Sequence, residues 1–183
     1  MNILLIIISI LTIAVFALRQ TFVSKKVMAA WCIACALAAV WFGGIAVTLS
    51  KAYMAAMVAD KSLMRDLAVI VTIEVAAHIA FCVTDVMVTS IQDIGRVIRF
   101  AHMLLKYFPC IFIFPVICYI LTRVIFLFPG VDFDVISYVF GAIVAIFLSL
   151  FSIGIKFLLP ERSLRLEMLF VAGCLLAMVS FYM

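Results

Sequence analysis

Charge is what this sequence has least of. Only 12% of its 183 residues are Asp, Glu, Lys or Arg, whereas 70% are apolar and the mean hydropathy is +1.44. Soluble domains are roughly a quarter charged. In water such a chain would expose large apolar patches, so its natural solvent is a lipid bilayer. No stretch is long and polar enough to make a globular domain, which excludes a catalytic head outside the membrane.

Other shortages narrow the chemistry. There are two histidines, His78 and His102. No His-rich zinc site follows from two residues so far apart, and His102 falls outside the apolar runs, so bis-histidine haem ligation is not expected. A glycine-rich phosphate loop ending in Lys-Ser/Thr is absent, as are GxSxG and HExxH motifs and any carboxylate pair on a polar loop. No cofactor is expected. Seventeen Phe against two Trp and five Tyr describe lipid-facing and core surface rather than an aromatic binding module. The net charge of +4 matters through where the basic residues fall, and nucleic acid is not an expected partner.

What is present is a series of apolar runs. The start, MNILLIII, lacks a basic region and a small-x-small cleavage site, so it reads as a first permanent span. No lipidation or anchor signal is expected at either end. Spans are placed at residues 2–18, 27–50, 63–88, 109–128, 135–159 and 166–183, each near the roughly twenty residues a crossing needs. Gly43-Gly44 inside the second allows close helix approach or a bend. Pro115 is expected to bend the fourth. Asp132 and Asp134 are candidate caps for the fifth.

Residues 90–106 differ. Ile91, Ile94, Ile98, Ala101 and Leu105 recur at steps of three and four, with Asp93, Arg96, Arg99 and Lys106 mostly elsewhere around the wheel. This is an amphipathic helix, lying in the membrane interface or extending the third span beyond it. The whole is therefore expected to be all-α: a single-domain polytopic membrane bundle of about six transmembrane helices plus one amphipathic helix.

Six alternating spans divide the basic residues unevenly. Arg19, Lys25, Lys26, Arg96, Arg99, Lys106, Lys156, Arg162 and Arg165 fall on one side, and Lys51, Lys61, Arg65 and Arg123 on the other. The positive-inside rule puts the first set in the cytoplasm and both termini outside, as in a bacterial inner membrane.

The third span carries the chemistry. On an ideal helix His78 lies about 40° around from Glu74, and Asp85 about 20°, over a rise of about 16 Å. Ionisable groups inside a membrane are costly and should face the bundle, a partner or a water path. A carboxyl and an imidazole one turn apart can pass a proton between them. The bland alternative is that these groups merely pair to hold helices together. Arg123, near the outer end of the fourth span, can snorkel, reach Asp132 or Asp134, or neutralise a carboxylate on a neighbouring helix. Cys32 and Cys35 form a CxxC within an Ala-rich run; the spacing suits redox chemistry or metal binding, but lacks a second pair. The remaining cysteines, Cys82, Cys110, Cys118 and Cys174, read as small buried hydrophobes.

The functional expectation is a membrane subunit that assists translocation of protons, ions or a small solute within a larger complex or self-associated assembly. Glu74 would titrate, His78 would relay or tune, and Asp85 would stand towards the cytoplasmic exit. Two alternatives belong to other classes: a scaffold subunit docking through residues 90–106, or an intramembrane enzyme using the same three residues. The polar residues of the first half do not recur in the second, so an inverted repeat is not supported.

Overall fold

A computed structural model describes residues 2–46, 56, 60–90, 95–108, 110–128 and 130–180. Among these residues the chain forms seven helices: α1 (Asn2–Gln20), α2 (Lys25–Ala46), α3 (Lys61–Ser90), α4 (Arg96–Tyr107), α5 (Ile113–Leu127), α6 (Phe133–Leu158) and α7 (Arg162–Ser180). Long apolar runs with no competing hydrogen-bond source close their backbone groups within the segment, which selects helix. The expected span ends at residues 47–50 and 181–183, the connection at residues 51–55 and 57–59, and Ile91 to Ile94 lie outside the described residues.

The chain is an all-α bundle with several long apolar helices, consistent with a polytopic membrane protein. Four of them, α2, α3, α6 and α7, are long and apolar enough to cross a bilayer, rather than the six expected. The apolar part of α1 runs over Leu4–Gln20 and falls just short. The larger departure is α5, whose 15 residues rise only about 22 Å. It starts at Ile113 rather than at 109 because the chain before it turns instead of coiling: Ile113 N–H donates to the Cys110 carbonyl and Phe114 N–H to that of Ile111. Pro115 therefore sits in the first turn of α5. There its missing N–H has no intrahelical partner to lose, so the expected bend does not arise.

Small residues set the closest packing, between α2 and α6. A Cβ on Gly43 would stand 2.0 Å from Ser137 Oγ, and one on Gly141 would stand 3.0 Å from the Ala36 carbonyl oxygen. Close approach, rather than a bend, is thus what Gly43 supplies. Asp132 occupies the N-cap position of α6 without a side-chain capping bond. Asp134 lies in the first turn, where its charge meets the positive end of the helix.

The distribution of side chains inverts that of a soluble protein. Trp41, Leu37, Ile146, Leu150 and Phe157 face outward, while Arg19, Glu74, His78 and Asp85 are buried. Three of the basic residues assigned to one side make contacts between elements. Arg19 reaches the Leu105 carbonyl of α4, Arg162 reaches Asp85 near the end of α3, and the Arg165 guanidinium lies 5.7 Å from the centre of the Phe22 ring.

Candidate functional site

The site begins with a helix that starts inside the bundle. The first backbone N–H groups of any helix have no partner within it, and leaving one bare in an apolar interior is costly. At α5 the need is met from another helix. Glu74, midway along α3 and 2% exposed, accepts the Phe112 N–H at its Oε2, 2.7 Å away. The carboxylate also sits at the positive end of the α5 dipole.

Its other oxygen is differently placed. Glu74 Oε1 is buried and makes no hydrogen bond among the described residues. It faces His78 Nε2 at 3.6 Å, one turn further along α3 and just beyond hydrogen-bond range. His78, 1% exposed, also lies 3.7 Å from Cys110 Sγ through the same nitrogen. Glu74, His78 and Cys110 each offer one ligand atom, and these atoms lie within 4.8 Å of one another, so the trio has the donors and spacing to hold a metal ion.

The opposite side of the imidazole is held by Arg19 from α1, whose Nη1 lies 2.7 Å from His78 Nδ1. A guanidinium can only donate, so Nδ1 accepts and the ring proton of the neutral imidazole resides on Nε2. That proton points into the space shared by Glu74 Oε1 and Cys110 Sγ. Arg19 also donates to the Leu105 carbonyl, and its guanidinium carbon lies 4.4 Å from the centre of the Phe81 ring.

Asp85 does not join this group. Arg162 of α7 holds it through two bonds, Nε to Oδ2 at 3.2 Å and Nη2 to Oδ1 at 2.5 Å. His102 of α4 approaches the same carboxylate, with Nε2 3.6 Å from Oδ1, and stacks on Phe81 at 5.6 Å. The single stripe seen on a helical wheel is thus two separate clusters, with Arg19 and Phe81 standing between them. Burial lowers the His102 pKa below its ordinary value of 6.5, against the pull of Asp85 and reinforced by Lys106, Arg162 and Arg19. Its imidazole is therefore neutral at pH 7.

The other expected residues are placed apart from the site or beside it. Arg123 is exposed and donates to the Tyr119 hydroxyl one turn back, 3.1 Å from Nη2. Cys32 and Cys35 are free thiols buried in the apolar cluster that also contains Phe16, Ile113 and Cys110. Two open grooves lie elsewhere. One of about 570 Å³ runs between α3 and α7 past Cys82, Val86, Leu166 and Phe170. Another of about 480 Å³ lies between α1 and α5 beside Ile10, Tyr119 and Arg123.

Arg19 and Cys110 are the site residues that sequence reasoning missed. Arg19 ends an apolar run and looks like an interfacial stop. Cys110 looks like one more small hydrophobe. The available signal was Cys110 between two prolines, Pro109 and Pro115, which disfavour an uninterrupted helix through that stretch. Compared with known protein families, curated proteins and solved structures, the chain matches none.

Proposed function

We propose that the chain is a membrane-embedded subunit that assists the movement of a proton, an ion or a small solute through its helical bundle, with Glu74 as the exchanging group and His78 as its relay. The observation that carries this reading is the half-satisfied Glu74. An unsatisfied oxygen in an apolar interior costs about 1–3 kcal/mol, and Glu74 Oε1 is the one carboxylate oxygen among the buried side-chain atoms of the described residues that lack a hydrogen bond. Here Oε2 is committed to the α5 N-terminus, while Oε1 is left facing the His78 Nε2–H and the Cys110 thiol. A helix that begins within the bundle at an ionisable residue is also how many transporters build a site at mid-membrane.

In this reading α1 and α5 join the four longer helices as short crossings, and the end bearing Arg19, Arg162 and α4 faces the cytoplasm. Asp85 serves a different purpose from the one first expected. Arg19 cannot give up its proton, so a direct proton wire from His78 to Asp85 is interrupted. The Asp85–Arg162 pair instead anchors α7 to α3 at that end. The test is reconstitution of the purified chain into vesicles carrying an internal pH dye, with imposed proton and cation gradients. Dissipation faster than in protein-free vesicles supports the reading, and rates equal to theirs for every gradient refute it for the isolated chain.

A second reading, a scaffold subunit, is favoured by α4. Val97, at 80% exposed, and Phe100, at 70%, form an outward apolar sector beside Arg96 and Arg99. A partner docking there predicts that Val97→Asp/Phe100→Asp abolishes assembly while Glu74→Gln leaves it intact.

A further inference from the structure

We propose that Glu74 Oε1, His78 Nε2 and Cys110 Sγ form a three-donor site for a thiophilic divalent transition-metal ion of the Zn²⁺ class. This inference rests on the translocation reading only in making that ion the cargo; the binding site itself stands on geometry.

Tetrahedral bonds of about 2.0–2.3 Å place neighbouring ligand atoms about 3.3–3.6 Å apart. His78 Nε2 stands 3.6 Å from Glu74 Oε1 and 3.7 Å from Cys110 Sγ, a few tenths of an ångström from those spacings. One ligand atom from each of the three residues falls within 4.8 Å of the other two. The buried Glu74 oxygen with no hydrogen bond among the described residues is one of the three donors. Two donors come from successive turns of α3 and the third from the segment that begins α5. Glu74 is also anchored through Oε2, so its free oxygen is already oriented.

The donor set selects the ion. Mg²⁺ and Ca²⁺ require several oxygen ligands, whereas a thiol and an imidazole suit Zn²⁺ and its neighbours. Three protein ligands leave one position open. Structural zinc sites close all four, so an open position fits an ion that must arrive and leave.

Arg19 makes the site conditional. An ion arriving at Nε2 needs the lone pair that the ring proton occupies. The proton moves to Nδ1, the Cys110 thiol proton leaves to solvent, and metal–nitrogen, metal–sulfur and metal–oxygen bonds form with no change in oxidation state. Nδ1 is then a donor, and the Arg19–His78 hydrogen bond breaks because both partners donate. Arg19 keeps Leu105 and Phe81 as neighbours on release. The ion and Arg19 thus compete for one imidazole, and metal occupancy breaks the Arg19–His78 bond between α1 and α3 while the Arg19–Phe81 contact remains.

The experiment is a Co²⁺ titration of the detergent-purified full chain, followed by competition with Zn²⁺. Binding predicts a thiolate-to-cobalt charge-transfer absorption that Zn²⁺ removes. It is absent from Cys110→Ser, whose affinity falls more than about 100-fold, beyond the roughly 10–100-fold cost of an outer-sphere change. Arg19→Met binds more tightly than wild type, a gain that a merely disordered variant would not show. No charge-transfer band in the wild-type protein, or one that persists in Cys110→Ser, overturns the site. Vesicle assays separate the two claims: binding without flux refutes the cargo role alone, and proton flux without Co²⁺ or Zn²⁺ binding refutes this inference alone.

Discussion

The Phe112 N–H donates to Glu74 Oε2 at 2.7 Å, so the N-cap residue of α5 is held by a carboxylate from the middle of α3. One side chain therefore has two duties. Its Oε2 caps the start of a helix, and its Oε1 faces His78.

These duties separate under substitution. Glu74→Gln keeps an amide oxygen for the Phe112 N–H and should melt close to wild type. Glu74→Ala strands that N–H in an apolar interior and should lose about 1–3 kcal/mol. Thermal unfolding in detergent compares the two; equal losses would remove the capping role.

At the other end of α3, Asp85 depends on Arg162. Arg162→Gln leaves a buried carboxylate without its cation and should cost about 1–3 kcal/mol. Adding Asp85→Asn should restore part of that loss, because the uncompensated charge disappears with it. A double-mutant cycle measures the coupling. Strictly additive losses would mean that the pair is incidental.

His102 makes stability depend on pH. Its folded pKa lies below the ordinary 6.5, so between the two values the unfolded chain binds more protons than the folded one. Stability contributed by the neutral imidazole is present above 6.5 and is lost as pH falls through that value towards the folded pKa. Melting curves recorded downwards from pH 7 should show this decline, and His102→Phe, which retains the stack on Phe81, should flatten it. An identical slope in the variant would place the acid sensitivity elsewhere.

The α2–α6 contact depends on an absent side chain. Gly43→Ala places a methyl 2.0 Å from Ser137 Oγ, and overpacking of this kind costs about 1–3 kcal/mol. Ser137→Gly should recover part of the loss. A Gly43→Ala protein as stable as wild type would show that the two helices are not held this closely.

How much of this was legible in the sequence follows from the range of each interaction. Glu74 and His78 are one turn apart on one helix, and helical periodicity alone puts them together. The apolar spacing over residues 90–106 likewise marks out α4, which runs over Arg96–Tyr107, while Ser90 ends α3 and residues 91–94 lie outside the described residues. Arg19 is 59 positions from His78 in the chain, and Cys110 is 32 from it, so their arrival depends on how helices pack rather than on any local pattern. The same limit separated Asp85 from the other two. An ideal wheel aligns all three, but it cannot show that Phe81 and Arg19 fill the space between them, or that α7 brings Arg162. Span counting failed at α5 because hydropathy measures how apolar a segment is, and residues 110–112 are apolar without being helical.

The most direct test of Glu74 as the exchanging group measures flux and unfolding on the same Glu74→Gln preparation. The account predicts a melting temperature near that of wild type together with loss of the ion or proton flux that wild-type vesicles sustain. Flux equal to wild type in a stably folded Glu74→Gln protein would contradict it, leaving Glu74 as a helix cap and the assembly reading in its place.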